Sequence, residues 1–432
     1  MSITSENRSL RPGRWLLVAC TVTLAVFLQG CAALMVYHPP PANLEDRVEI
    51  PRMPGVRAWG DVYSESLEKS AIESIRQEKA ANHGKLEPVV YGLALSGGGG
   101  DGAFGAGLLC GWTEAGTRPR FKLVTGVSTG ALIAPFAFLG KAYDARLKEA
   151  YTTISDRDIY KAHKPLAIIL SLANVRPLPS MASTRPLAEL LKKLIDDQMI
   201  QEIAREHLKG RRLLVGTTQM DAQRLVIWNM GAIAASGDPR APELFRKILL
   251  ASASIPAAFP PQYITVEAGG QKFEEMHSDG GVMAEVMLYE NALKPFSMEQ
   301  HLLNIAPRSR KLYLIRNQQA LPEWQYVKPQ LKYIASRGID SLLKSQGLGD
   351  LYRLYVYAQR DEFDYNLAFI PADFQAEHTS EFDTAYMNKL FDLAYNLARS
   401  GYKWHKYPPG FSPSTKATRE SQRPDKGAPA KD

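Results

Sequence analysis

Ser128 is the residue whose neighbours best suit it to act as a nucleophile. It stands at the centre of Gly126-Val127-Ser128-Thr129-Gly130, between a strand-like run, Phe121 to Thr125, and an apolar helix-like run, Ala131 to Leu139. A serine at the tip of a tight strand-to-helix turn has its hydroxyl pushed into the open, and small residues are needed around it because backbone and substrate both come close. The helix that starts there brings its positive dipole end beneath the hydroxyl. Serine is a weak nucleophile at its free pKa. It needs a base within hydrogen-bond reach and donors aimed at the oxyanion that develops on the acyl carbon.

Both requirements have candidates. Directly after the apolar run Val89 to Leu95 comes Ser96-Gly97-Gly98-Gly99-Gly100-Asp101-Gly102, whose consecutive glycines can turn N–H groups inward with no Cβ to obstruct an acyl chain. Further on, His277-Ser278-Asp279-Gly280-Gly281 places an acid before two glycines, and Asp279 is the candidate base. His277 is the rival. Residues two apart on a strand face the same side, and a histidine is the usual partner of a catalytic serine. The two bases predict different acid limbs: a carboxylate with a modestly raised pKa stays active below about pH 6, whereas an imidazole does not.

Other chemistries fit poorly. Gly97, Gly99 and Gly102 match the dinucleotide-binding spacing, but the next strand ends in Gly126-Val127-Ser128 and not in a ribose-binding acid. A phosphate-binding P-loop needs Lys-Ser/Thr after its last glycine, where this chain has Ala103-Phe104. The 8 histidines are scattered without metal-ligand spacing, so neither a metal nor another cofactor is expected. With no arginine-rich cluster among aromatics, nucleic acid is not an expected partner.

The elements that must position these residues follow from hydrophobic pattern. Val89 to Leu95, Lys122 to Val127, Arg212 to Met220 and Lys311 to Arg316 read as buried strands, and Arg224 to Met230 completes a hairpin with the third. Ala103 to Trp112, Thr129 to Leu139, Leu187 to Ile195 and Pro242 to Ser252 read as helices. Such alternation predicts a three-layer α/β/α sandwich with a mainly parallel sheet. C-terminal helices are expected over Gln330 to Gln346, Asp350 to Gln359 and Thr379 to Arg399, the first two parted at Gly347 and Gly349, with a strand over Tyr365 to Ile370. Asp101, just before a helix start, is expected to cap it. Cys110 reads as a core residue.

The ends differ in kind from this core. Arg8, Arg11 and Arg14 precede an apolar stretch, Trp15 to Leu28, that closes on Leu28-Gln29-Gly30-Cys31. Fourteen apolar residues fall short of the roughly twenty that span a bilayer, so the layout is that of a signal peptide. The ending resembles the lipobox of bacterial lipoproteins. That resemblance implies lipidation of Cys31 and, since Ala32 is not Asp, a place in the cell envelope at the outer membrane. The resulting organisation is a signal peptide over 1–30, a tether with a leading helix (Ser64 to Ala81) over 31–87, a catalytic domain over 88–320, a helical extension packed on the core over 321–410 and a disordered tail over 411–432. The net charge is +7, a mild excess that suits an anionic membrane surface or a merely solvated one.

Taken in order, Gly97-Gly98-Gly99-x-x-Gly102, Gly126-x-Ser128-x-Gly130 and Asp279-Gly280-Gly281 resemble the three signature blocks of the patatin-like phospholipase family, as does the Ala-Ser-Ala-Ser-Ile-Pro run before the acid. The resemblance implies a Ser128–Asp279 dyad without histidine, and an oxyanion hole from the amides of Gly97, Gly98 and Gly99. The reaction it implies is hydrolysis of phospholipid or lysophospholipid through an acyl-serine. The family has Arg or Lys where Asp101 stands. The alternatives are a carboxylesterase or thioesterase on another acyl ester, or an inactive lipid-binding envelope lipoprotein.

Overall fold

Two sets of apolar residues interleave along the same strands, and this alternation builds the fold. On Val89–Leu95 (β2), Leu93 and Leu95 enter one core and Ala94 the other. On Arg212–Gln219 (β4), Leu213 and Val215 oppose Leu214, and on Arg224–Asn229 (β5), Val226 and Trp228 oppose Leu225 and Ile227. Side chains on a strand point alternately to its two faces, so a sheet patterned this way needs cover on both.

The computed structural model describes residues 37–172, 178–289, 292, 293, 305 and 308–412. The expected signal peptide, Cys31 and residues 413–432 of the expected tail lie outside them. The chain divides into two units: the described residues of the smaller include the helix Pro165–Leu172, and the larger, Pro39–His163 with Pro179–Asp432, holds the sheet and every feature below.

With β1 (Arg57–Trp59), β3 (Leu123–Val127), β6 (Gln262–Ala268), β7 (Gln271–Asp279), β8 (Ser309–Gln319) and β9 (Phe363–Ile370), the sheet has nine strands. Its main path is β1-β5-β4-β3-β2-β8-β9. The strands β4, β3, β2, β8 and β9 run parallel, whereas β5, β1 and β7 join antiparallel, and β6 hangs on β7. The first core lies under α2 (Gly102–Glu114), α3 (Thr129–Leu139), α4 (Ala241–Ser252) and α6 (Thr384–Arg399). Beneath the other face lie Leu67 and Ile75 of α1 (Glu65–Ala81) and Leu351, Leu354 and Ala358 of α5 (Leu331–Arg360). This is the three-layer α/β/α sandwich, and the loops at the carboxyl ends of its parallel strands are where such sheets hold ligands.

Several elements depart from the expectation. Gly347 and Gly349 do not break a helix: α5 runs through both. Gly347 makes room for a neighbour, since a methyl there would sit 2.7 Å from Arg316 Nη1. α6 begins at Thr384, later than Thr379, because Asp383 caps it by accepting from the amides of Ala385 and Tyr386 at 3.0 and 3.1 Å. The expected tether contributes β1, paired with β5, whereas the strand expected over Tyr365 to Ile370 is present as β9, beside β8. Cys110 is buried in the first core as expected.

α2 and α6 approach so closely that methyls at Gly107 and Gly111 would lie 2.2 Å from the Phe391 carbonyl oxygen and 2.1 Å from that of Tyr395. On an open helix surface Gly→Ala gains about 1 kcal/mol. Here the sign reverses: Gly107→Ala forces backbone apart and costs about 1–3 kcal/mol. Chemical denaturation reads this directly, and an unchanged or higher midpoint would contradict the close packing.

Candidate active site

The turn between β3 and α3 holds Ser128 in a conformation that L residues rarely adopt, φ 53° and ψ −127°. Such a conformation costs about 1–3 kcal/mol and persists only where surroundings enforce it. They do so here. The Ser128 N–H donates to Ser252 Oγ at 3.0 Å, and that hydroxyl donates to the Gly216 carbonyl at 2.6 Å, tying the elbow to β4 through α4. Gly130 lies so close to β2 that a methyl would meet the Leu95 carbonyl oxygen at 2.3 Å. The small residues of the sequence motif are thus packing requirements.

From this elbow Ser128 Oγ donates to Asp279 Oδ2 at 2.7 Å. Asp279 ends β7, whose register sets it opposite Thr217 of β4. Its other oxygen, Oδ1, accepts from the Gly281 N–H at 2.7 Å, its own N–H donates to the Ser254 carbonyl at 2.9 Å, and its carbonyl accepts from Thr218 Oγ1 at 2.8 Å. Burial pushes the Asp279 carboxyl up to about 7, against the pull of the Ser128 and Gly281 hydrogen bonds.

His277 faces elsewhere. Its Nε2 lies 3.1 Å from Glu275 Oε2 and its Nδ1 2.9 Å from Thr217 Oγ1, and the ring packs edge-on to Trp228. A proton on Nε2 directed to Glu275 leaves Nδ1 to accept the Thr217 hydroxyl. Glu275 is also ion-paired with Arg57. Burial lowers the His277 pKa despite Glu275. The imidazole is therefore a neutral part of a buried polar network.

The glycine loop after β2 runs along the same edge. Gly98 has φ 146°, and a methyl there would meet the Asn317 carbonyl oxygen at 2.1 Å, so this position has no room for a side chain. Asn317, at the end of β8, holds the loop in place: Nδ2 donates to the Ser96 carbonyl at 2.9 Å, and Oδ1 accepts from the Gly105 N–H at 3.0 Å. Of the three expected oxyanion donors, Gly97 is already engaged, its N–H donating to the Glu285 carbonyl at 2.9 Å. The Gly98 and Gly99 amides have no such bond among the described residues. Asp101 does not cap α2 with its side chain. Its Oδ1 accepts from Tyr386 Oη of α6 at 2.7 Å, and burial raises its pKa to about 7.

Sequence reasoning missed Glu285, six residues beyond Asp279. A methyl on Gly281 would lie 2.8 Å from Glu285 Oε1 and 3.1 Å from Asp279 Oδ1, so the two carboxyls flank one point in space. Burial, and then the charge of Asp279, push Glu285 up to about 8. Its loop is fastened by Asp350 of α5, whose Oδ2 accepts from the amides of Glu285 and Val286 at 2.7 and 3.4 Å. No local motif marks Glu285, Asp350 or Asn317. The Ser252-Ala253-Ser254 run was visible, but its purpose was not.

The model of the patatin-like phospholipase family matches residues 93–290, which take in all three glycine-containing blocks. No curated protein matches the chain. Among solved structures, VipD from Legionella pneumophila is similar at 12% identity, with 73% of this chain and 67% of that one covered and a TM-score of 0.34. ExoU of Pseudomonas aeruginosa, in its complex with SpcU, is similar at 13% identity over 72% of this chain and 52% of that one, with a TM-score of 0.30. This chain thus spans about half the length of ExoU. Residues 93–290 of the chain thus match a patatin-like phospholipase domain.

Proposed function

We propose that this protein is a serine hydrolase of phospholipid or lysophospholipid esters, with Ser128 as nucleophile and Asp279 as its base. The observation that carries this reading is the 2.7 Å hydrogen bond from Ser128 Oγ to Asp279 Oδ2, made from a left-handed elbow beside a glycine loop. In the proposed reaction the Asp279 carboxylate takes the hydroxyl proton as Oγ bonds to the acyl carbon, and the carbonyl oxygen becomes an oxyanion facing the Gly98 and Gly99 amides. Collapse breaks the ester bond, and the proton held by Asp279 passes to the departing alkoxide. Water then attacks the acyl-serine with Asp279 again as base, releasing fatty acid. Asp279 suits both directions of transfer because a pKa of about 7 lies near neutral pH.

The same reading places the chain in the cell envelope, held through lipid on Cys31. Its support is the sequence Leu28-Gln29-Gly30-Cys31 after a short apolar stretch. Mass spectrometry of the mature N-terminus should show an acylated Cys31 as the first residue, and an intact segment beginning at Met1 would count against the anchor.

The nucleophile is tested by a fluorophosphonate probe. Wild type should be labelled on Ser128 and should hydrolyse lipid esters. Ser128→Ala should lose both labelling and turnover while melting at least as high, since it removes only one hydroxyl. A variant that still reacts with the probe would move the nucleophile elsewhere.

A further inference from the structure

α5 changes character along its length. From Leu351 onward it packs as a core helix, with Leu351, Leu354 and Ala358 fully buried. Its first turns, 331–342, bury no described side chain on any face, yet they carry Leu331, Ile334, Ile339 and Leu342, with Leu331 85% and Leu342 71% exposed. The segment before it adds Leu321, Tyr326 and Trp324, the last 90% exposed. This segment is tied to the helix: Arg337 donates to the Glu323 carbonyl at 2.6 Å and to Gln325 Oε1 at 3.2 Å, and Lys344 pairs with Glu323 at 3.0 Å. The apolar side chains are thus presented together on one braced element.

That element is joined to the catalytic edge at two places. Residue 320 follows the carboxyl end of β8, where Asn317 holds the glycine loop. Asp350 of α5 fastens the loop after Asp279. Leu342 lies eight residues before Asp350 and Leu331 nineteen, about 12 and 28 Å along the helix axis. Three more apolar residues, Ile255, Val282 and Met283, are exposed on either side of Asp279 in the sequence.

Large apolar side chains exposed together on one element mark an interaction site. Its composition selects the partner. Trp and Tyr among Leu and Ile, accompanied by Lys328, which lies over the Tyr333 ring, and by Arg337 and Lys344, is the mixture that settles at the headgroup boundary of a bilayer. We propose that residues 321–342 are a docking surface for a phospholipid bilayer, which holds the catalytic edge near the lipid surface. The proposal rests on the reading of the chain as a lipid hydrolase for its choice of partner, but its test does not depend on turnover.

The test uses the full chain carrying Ser128→Ala and phosphatidylcholine vesicles with acyl chains brominated near the headgroup. Tryptophan emission should be quenched by brominated but not by plain vesicles, and adding Trp324→Phe should remove that quenching. Leu331→Glu with Ile334→Glu should lift the quenching of Trp324 even where lipid on Cys31 keeps the chain on the vesicle. In the otherwise wild-type chain the same pair should leave hydrolysis of a water-soluble monomeric ester within twofold. Vesicle-bound protein with unquenched Trp324, or glutamate variants whose Trp324 is quenched as before, would overturn the proposal. So would a dimer that the glutamates dissolve, since a second copy would then own the face. Quenching by vesicles from a wild-type chain that hydrolyses no ester would keep the docking surface and remove the proposed activity.

Discussion

One hydrogen bond, from Ser128 Oγ to Asp279 Oδ2, joins two loops 151 residues apart in the chain, and most of the local architecture exists to make it short. Ser128 reaches it from a strained backbone that the Ser252 hydroxyl and the tight packing of Gly130 on β2 enforce. Asp279 reaches it because antiparallel pairing of β7 with the end of β4 fixes its height against Thr217, and the Gly281 amide fixes its rotation. The parallel centre of the sheet carries the elbow and the antiparallel strands carry the acid. Neither alone would suffice.

Burial sets the electrostatic character of this edge. Asp279, Glu285 and Asp101 are all held well above the usual carboxylate range, chiefly by loss of water. For a base this is useful, because an ordinary carboxylate is too weak to accept a serine proton. It also has a cost: a carboxyl with a raised folded pKa destabilises the fold as pH rises through that value, since the unfolded chain ionises it more easily. In the proposed mechanism the site gives up stability for reactivity.

Much of this was legible in the sequence where chemistry and local geometry coincide. Gly126 to Gly130 declared an elbow because no other residues fit so tight a turn, and Asp279 stood out by the two glycines after it. The alternation of apolar residues on β2, β4 and β5 foretold a sheet covered on both faces. What stayed hidden depended on distant partners. Gly347 resembles a helix stop until Arg316 is seen lying against it, and Asp101 resembles a cap until Tyr386 arrives from α6. The Gly97 amide resembles an oxyanion donor until the Glu285 carbonyl takes it. Glu285 itself carries no motif and matters only because the loop after Asp279 folds back beside Gly281. Burial cannot be read from a sequence either, and by lifting Asp279 to about 7 it moves the acid limb expected of a carboxylate base upward from below about pH 6.

That value lies close to an unperturbed imidazole, so an acid limb alone does not separate a carboxylate base from a histidine one. The decisive measurement is the pH dependence of kcat/KM on a soluble ester, in wild type and in His277→Gln. A carboxylate base must be ionised, so the rate should fall as pH drops below about 7, approaching tenfold per pH unit, and His277→Gln should keep both that limb and a rate within about threefold. A His277→Gln protein that melts like wild type yet loses more than about 100-fold in rate, or loses the acid limb, would contradict the direct Ser128–Asp279 proton transfer.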